Sequence, residues 1–284
     1  MSTGPTVRRR RLGTELRKLR ESNGYKLEEV AAQLGVASST LSRIETGKAP
    51  TKSSYLNQML EMYGVTEPAQ RQVLVDMARE GHRKGWWAAY DDVLLSGFDI
   101  YVGLEAETAS VRGYEVSVVP GLLQTQEYAR AVLREMFPRH TLDQIERLVE
   151  LRMERQRRFD DDPPLELWAI LDEAVLRRPV GGWAVMREQL EHLLTMVERP
   201  GVTLQVLTFE CGAHAGHGGP FSVLEFPTRS DSEVVYVESV AGCIYLEKDK
   251  DVRARVDAFD RLRAVALAPS ASEELIARIA KEFP

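Results

Sequence analysis

Cysteine is nearly missing from this chain: Cys211 and Cys243 are the only two in 284 residues. Two thiols cannot build a disulfide framework, so a bridge-stapled secreted scaffold is excluded and a reducing cytoplasm is the expected compartment. Long apolar runs are missing too. No stretch approaches the roughly 18 residues that a membrane span needs. The opening MSTGPTVRRRRLG has charge with no apolar segment behind it, so no secretory signal is expected there. Internal repeats, low-complexity tracts, Walker motifs and dinucleotide fingerprints are also lacking, which leaves no phosphate cradle of a known kind.

What remains is an ordinary globular composition, with 44% hydrophobic and 28% charged residues. The length suits a small domain followed by a medium one. Charge is unevenly spread. Residues 1–66 hold eleven Lys and Arg against six Glu, a net of +5, whereas the whole chain carries −6 and the remainder therefore −11. Such asymmetry directs the first part toward a polyanion and the rest away from one.

The first 80 residues have the pattern of short helices. Leu12, Leu16, Leu19 and Arg20 mark one face of a helix that Asn23-Gly24 stops. A second helix, from Leu27 to Leu34, turns Val30, Ala31 and Leu34 inward, and Gly35 follows where a tight turn needs a positive φ. A third, about Ser38 to Thr46, points Leu41 and Ile44 into the same core and ends at Gly47. Two more, near 53–63 and 67–80, close the bundle. A pair of helices about a short turn, with small Ala31 permitting close approach, makes a helix-turn-helix.

Over LRKLRESNGYKLEEVAAQLGVASSTLSRIETGK, Leu16 to Lys48, the chain resembles the XRE-type helix-turn-helix domain of the lambda-like repressors. The likeness spans residues 12–64 and rests on Leu16, Arg17, Leu19, Arg20, Gly24, Glu28, Glu29, Ala31, Leu34, Gly35, Val36, Ser39, Thr40, Ser42, Arg43, Ile44, Glu45, Gly47 and Lys48. It implies that the third helix lies in the DNA major groove with its first residues at base edges. Short Ser38 and Ser39 would let that helix sit deep, and Arg43 would reach guanine O6 and N7 as a bidentate pair. Thr40, Ser42 and Lys48 are placed for phosphates, as are Arg8, Arg9, Arg10 and Arg11 ahead of the first helix. That arginine block reads either as an arm on phosphate or minor groove or as a solvated, disordered run.

The resemblance also implies that Arg20 and Glu45 pair across the hairpin. Two departures from the pattern bear on contacts. Lys26 and Leu27 stand where the family has Thr and Gln, so a cap of about 1 kcal/mol is lost. In return, Leu27 offers an apolar contact to a thymine methyl. Ala37 stands where Ser usually opens the third helix, which makes Ser38 the substitute cap.

Beyond residue 80 the pattern changes. Residues 81–85 read as a junction, and Trp86, Trp87 and Tyr90 read as core. A helix is expected from Phe98 to Arg112, then a strand over YEVSVVP, a turn at Pro120-Gly121 and a helix capped by Thr125. The next helix, 141–159, should bury Leu142, Ile145, Val149 and Met153, with Asp143–Arg147 and Glu154–Arg158 pairs on its outer face. LELWAIL, VTLQVLTF, FSVLEF and EVVYVES alternate as strands, with a helix over 183–197 between the first two. Val252, Val256, Phe259 and Leu262 form the stripe of a further helix, and Ser270 opens the last.

Across about residues 95–270, LEAE, VPGLLQT, DEAVLRR, VMREQL and HAGHGGPF resemble an actinobacterial domain of unknown function that follows XRE-type modules in regulators. Such regulators often sit beside genes for small proteins, which implies a protein partner. Chemistry is suggested only by CGAHAGHGGPF. There Cys211, His214 and His217 supply three of the four ligands a metal wants, within a glycine-rich loop. No orienting third group or oxyanion hole accompanies a Cys/His pair. Neither enzyme activity nor a metal or cofactor is therefore expected.

Loops at strand–helix junctions remain as a ligand or partner site, with Gln124 and Thr125 on one and His214, His217 and Gly218 on the other. The opposing reading makes these a turn with its cap and glycines that let strands cross. With −11 beyond residue 66, a small protein or neutral small molecule suits them better than a nucleotide.

The whole is expected to be a cytoplasmic transcription regulator. Residues 1–80 form an all-α helix-turn-helix bundle, lambda repressor-like, on double-stranded DNA, and 85–284 form a mixed α/β sensor or docking domain. A homodimer is expected, because one small module reads too few base pairs and paired half-sites solve that. The alternative is an antitoxin-like interaction protein that mainly engages a small partner protein.

Overall fold

The computed structural model describes residues 7–81, 85–95, 97–227, 232–239 and 242–283. Most of the expected junction, residues 82–84, lies outside them. The chain divides into two compact units, residues 1–91 with 97–107 and residues 92–96 with 108–284.

The first unit is helical: α1 (Val7–Ser22), α2 (Leu27–Gln33), α3 (Ser38–Glu45), α4 (Ser53–Met62), α5 (Pro68–Gly81), a 3-10 turn at Trp86–Tyr90 and α6 (Phe98–Glu105). Leu12, Leu16, Val30, Leu41, Ile44, Leu56, Met59 and Leu60 meet in one core, because apolar residues three and four apart share a helix face. Trp87 is buried and Trp86 exposed, their rings edge-on at 6.0 Å.

Helix α1 starts earlier than its leucine pattern suggests and takes in the arginine block. Arg8–Arg11 are helical, not an extended arm. Arg9 and Arg10 are buried, Arg11 is half-buried and Arg8 is exposed. The cause is periodicity: Arg9 precedes Leu12 by three residues and Leu16 by seven, so it shares their inward face. Burial pulls the Arg9 pKa down, and the charges of Glu107 and Asp99 oppose that pull.

The second unit is built on a six-stranded sheet in the order β3-β2-β1-β4-β5-β6. Its strands are β1 (Ser110–Glu115), β2 (Glu166–Asp172), β3 (Val202–Leu207), β4 (Phe221–Glu225), β5 (Val234–Ser239) and β6 (Gly242–Leu246). β1, β2 and β3 are mutually parallel, and β4, β5 and β6 continue from β1 antiparallel. Helices α7 (Gln126–Met136) and α8 (Leu142–Gln156) join β1 to β2, while α9 (Glu173–Arg177) and α10 (Trp183–Val197) join β2 to β3. α11 (Asp249–Val265) and α12 (Pro269–Glu282) follow the sheet.

Phe259 and Leu262 of α11 pack on Tyr114, Ile170, Phe221, Val223 and Val235 across one sheet face. At the β3 edge, Ser272 Oγ of α12 accepts the Val206 N–H at 2.9 Å. That bond satisfies a donor that an open strand edge would leave unpaired.

Three expectations are corrected here. The helix from Phe98 ends at Glu105, and Arg112 belongs to β1, between β2 and β4. Strand pairing on both sides outweighs the helical spacing of this stretch, and Gly113 is a poor helix former. Leu142 is 67% exposed, because it is the first residue after the Thr141 cap and faces outward. The two i,i+4 pairs of α8 are replaced: Arg147 pairs with Asp92, Glu154 with Arg157, and Arg158 with Asp161.

Candidate nucleic-acid interface

The α2–α3 hairpin is set by its turn and by what holds α3 to α1. Gly35 takes φ +66° just after α2, a conformation that other residues resist. Gly13 of α1 faces the end of α3 so closely that a Cβ there would stand 2.5 Å from the Ile44 carbonyl oxygen. Arg20 of α1 clamps the same end. Its Nε and Nη2 donate to Glu45 Oε1 and Oε2 at 2.7 and 2.9 Å, and its Nη1 donates to the Tyr25 carbonyl at 3.0 Å. Both side chains of this fork-to-fork pair are buried. The hydrogen bond to Glu45 holds the Arg20 pKa above its usual value. Burial, with Glu45 beside it, pushes the Tyr63 phenol up as well.

With Leu41, Ile44 and Glu45 turned inward, the outer face of α3 is left to small hydroxyl residues and one arginine. Ser39, Ser42 and Arg43 are exposed, Ser38 and Thr40 are half-buried, and Lys48 is exposed just past the helix. Among the described residues Arg43 has no ion-pair partner. By contrast, Arg17 and Lys18 on α1 are paired with Glu21 and Glu15.

Ala37 is the residue that caps α3, with no side-chain acceptor, and Ser38 is the first helical residue. The expected substitute cap is thus corrected, and the Ser38 hydroxyl is not spent on the helix. At α2, the Glu29 carboxylate accepts the Lys26 N–H at 2.8 Å, which supplies one half of a capping box. Leu27 is half-buried against the helical core, so part of its side chain is committed to the fold.

The two loops expected to bind a ligand separate in the second unit. Gln124 is 2% exposed, with its Nε2 on the Val119 carbonyl at 2.6 Å and its Oε1 taken by Arg152 at 2.6 Å. Thr125 Oγ1 caps α7 by accepting the Tyr128 N–H at 3.3 Å. Gln124 is spent inside the fold, which corrects its assignment to a ligand, while the half-buried Thr125 has its hydroxyl oxygen engaged in the cap. Gln189 completes this knot: its Oε1 accepts the Thr125 N–H at 2.7 Å and its Nε2 donates to the Leu123 carbonyl at 2.7 Å. Sequence reading missed Gln189, which nothing in its helical context marks as polar core.

The second loop stays open, with His214 half-buried and His217 and Gly218 exposed. Among the described residues no three His, Cys, Asp or Glu side chains are grouped to hold a metal ion, and no helix is long and apolar enough to cross a membrane.

A hairpin of this geometry, with small hydroxyls and an arginine that has no ion-pair partner among the described residues on the outer face of its second helix, is a helix-turn-helix, which points to a DNA-binding regulator. A family model described as a helix-turn-helix domain matches residues 11–74. A second, described as a domain of unknown function, DUF5753, matches residues 98–278, more than half of the chain, and the chain belongs to that family. Comparison with curated proteins and with solved structures gives no match.

Proposed function

We propose that this protein is a sequence-specific transcription regulator of the XRE type, working in the cytoplasm as a homodimer. α3 enters the major groove, Arg43 reads a guanine, and Ser38, Ser39 and Thr40 allow close approach to bases and phosphates. Ser42 and Lys48 hold phosphates on either side. Of the arginine block, Arg8 is the member exposed enough to join them. The α/β domain contributes by binding an effector or a small partner protein, not by catalysis. One observation carries the reading: an exposed Arg43, with no ion-pair partner among the described residues, on a helix that a buried ion pair fixes to its neighbour. A helix used only for packing has no need of such a residue.

The test begins by crosslinking the protein in cells and sequencing the DNA it holds. On that DNA, Arg43→Ala in the full chain is expected to cost about 1–3 kcal/mol per half-site, concentrated at one base position, with the melting temperature unchanged. Unchanged affinity would remove α3 from the groove. Binding should also weaken steeply with salt. A complex insensitive to salt would favour the alternative, an antitoxin-like protein that mainly engages a protein partner.

A further inference from the structure

The loop between β3 and β4 carries two imidazoles, and an arginine from α11 packs against the same loop at Gly218. The loop is fixed to the sheet at Gly216, where a Cβ would stand 2.2 Å from the Tyr114 ring of β1. Tyr114 in turn pairs in register with Phe221, the first residue of β4. His214 lies edge-on to Tyr114 at 5.8 Å, and His217 lies 4.6 Å from His214. The Gly216 N–H donates to His214 Nδ1 at 3.1 Å, so in the neutral ring the other nitrogen, Nε2, is the donor. From the helix side, the Arg255 guanidinium sits 5.5 Å from the Phe221 ring centroid. Its Nη1 is 3.0 Å from where a Gly218 side chain would begin. Arg255 is half-buried, yet among the described residues it has no carboxylate partner, not even Asp251 one turn before it on α11.

We propose that His214, His217 and Arg255 form a binding site for a small oxyanion, the phosphate or carboxylate group of a metabolite. A guanidinium fork and an N–H donor suit that group, and a positive side chain among the imidazoles disfavours a metal cation. The −11 charge beyond residue 66 opposes every anion and a polyanion such as nucleic acid most, so a small oxyanion held by the local guanidinium and imidazoles is the one favoured. The proposal deepens the effector-binding part of the function above and replaces the neutral ligand that net charge suggested. The absence of a side chain at Gly218 then has a use, since it leaves the guanidinium open to the loop.

The test uses full-length protein without DNA, so its outcome does not depend on operator binding. Imidazole resonances are followed by NMR while inorganic phosphate, and separately citrate, is added against chloride at matched ionic strength. Saturable shifts at His214 and His217, with His140 and His192 unmoved, are expected. Arg255→Gln should weaken binding by about tenfold or more, the usual loss for a charged hydrogen-bond donor. Arg255→Lys should fall between the two, because it keeps the charge and loses the fork. A response to phosphate alone or to citrate alone supports the site and names its group. Shifts that follow chloride equally, or that persist unchanged in a folded Arg255→Gln, overturn it. So does the lack of any shift with either anion.

Discussion

The two regions put their candidate sites together by opposite routes. In the helical unit, Ser38, Ser39, Arg43 and Lys48 lie within eleven residues of one another on one helix and its exit. In the α/β unit, Tyr114, His214 and Arg255 come from a strand, a loop and a helix that are far apart in the chain. The polar cores differ in the same way. In the first, the charged pair Arg20–Glu45 ties α1 to α3, whereas in the second Gln124 and Gln189 tie loops together through backbone carbonyls, with Arg152 donating to Gln124. A short, local recognition surface needs one strong anchor to fix its angle, while a sheet fixes its loops through many pairings.

The sharpest way to break this contrast is to remove the anchor. Arg20→Ala or Glu45→Ala is expected to destabilise the helical unit by about 3–5 kcal/mol, since each leaves a buried charge uncompensated. Thermal melting followed by circular dichroism measures it. A mutant that keeps its melting temperature and shifts its base preference instead would make the pair part of DNA reading.

The next effect belongs to the α/β unit. Burial and the like charge of Glu238 push the Glu115 carboxyl up to about 8, against the pull of Arg152. A carboxyl whose pKa is higher in the folded state keeps its proton there while the unfolded chain has lost it. Stability therefore falls as pH rises from the ordinary 4.5 to about 8. Glu115→Gln removes that loss. Its advantage over wild type should grow by at most about 1.4 kcal/mol per pH unit within the window and stay level outside it. Urea denaturation at pH 5, 7 and 9 reads the trend, and a constant difference would show that Glu115 titrates normally.

The smallest effect tests whether the loop at Thr125 is purely structural. Thr125→Ala deletes the cap of α7 and should cost about 1 kcal/mol, with phosphate binding at His214 and His217 unaffected. A loss of anion binding without a loss of stability would return Thr125 to the ligand site.

The helical unit was legible because its signals are local. Glycines at 24, 35 and 47 mark the turns, and each takes a positive φ. Leucine and isoleucine spacing marks the inward faces, and α2 and α3 fall where that spacing puts them. The Arg20–Glu45 pair was legible only through family resemblance, since its members stand 25 positions apart and no local pattern joins them. In the α/β unit, α10 lies at Trp183–Val197 as its pattern predicts, β3, β4 and β5 lie within their alternating runs, and β2 passes the end of its run by Asp172 alone. β1 begins at Ser110, inside the stretch whose spacing predicts a helix, and shares only Tyr114 and Glu115 with the expected strand, while β6 lies where the pattern predicts no strand. SVRGYE and GCIYL are short and carry a Gly each, so their Val, Ile and Tyr make no long alternating run; β1 becomes a strand by pairing with β2 and β4, distant in sequence, and β6 by pairing back on β5.

Sequence alone therefore determined where the chain turns, which helix faces are apolar and which part is positive, because each follows from residues a few positions apart. Tertiary structure decided the rest. It drew Arg9 and Arg10 out of solvent, locked Gln124 between Val119 and Arg152, and packed Arg255, with no carboxylate partner among the described residues, against Gly218 of the loop that carries two histidines. Whether a polar group is free to bind depends on which other elements reach it, and only packing brings those elements together.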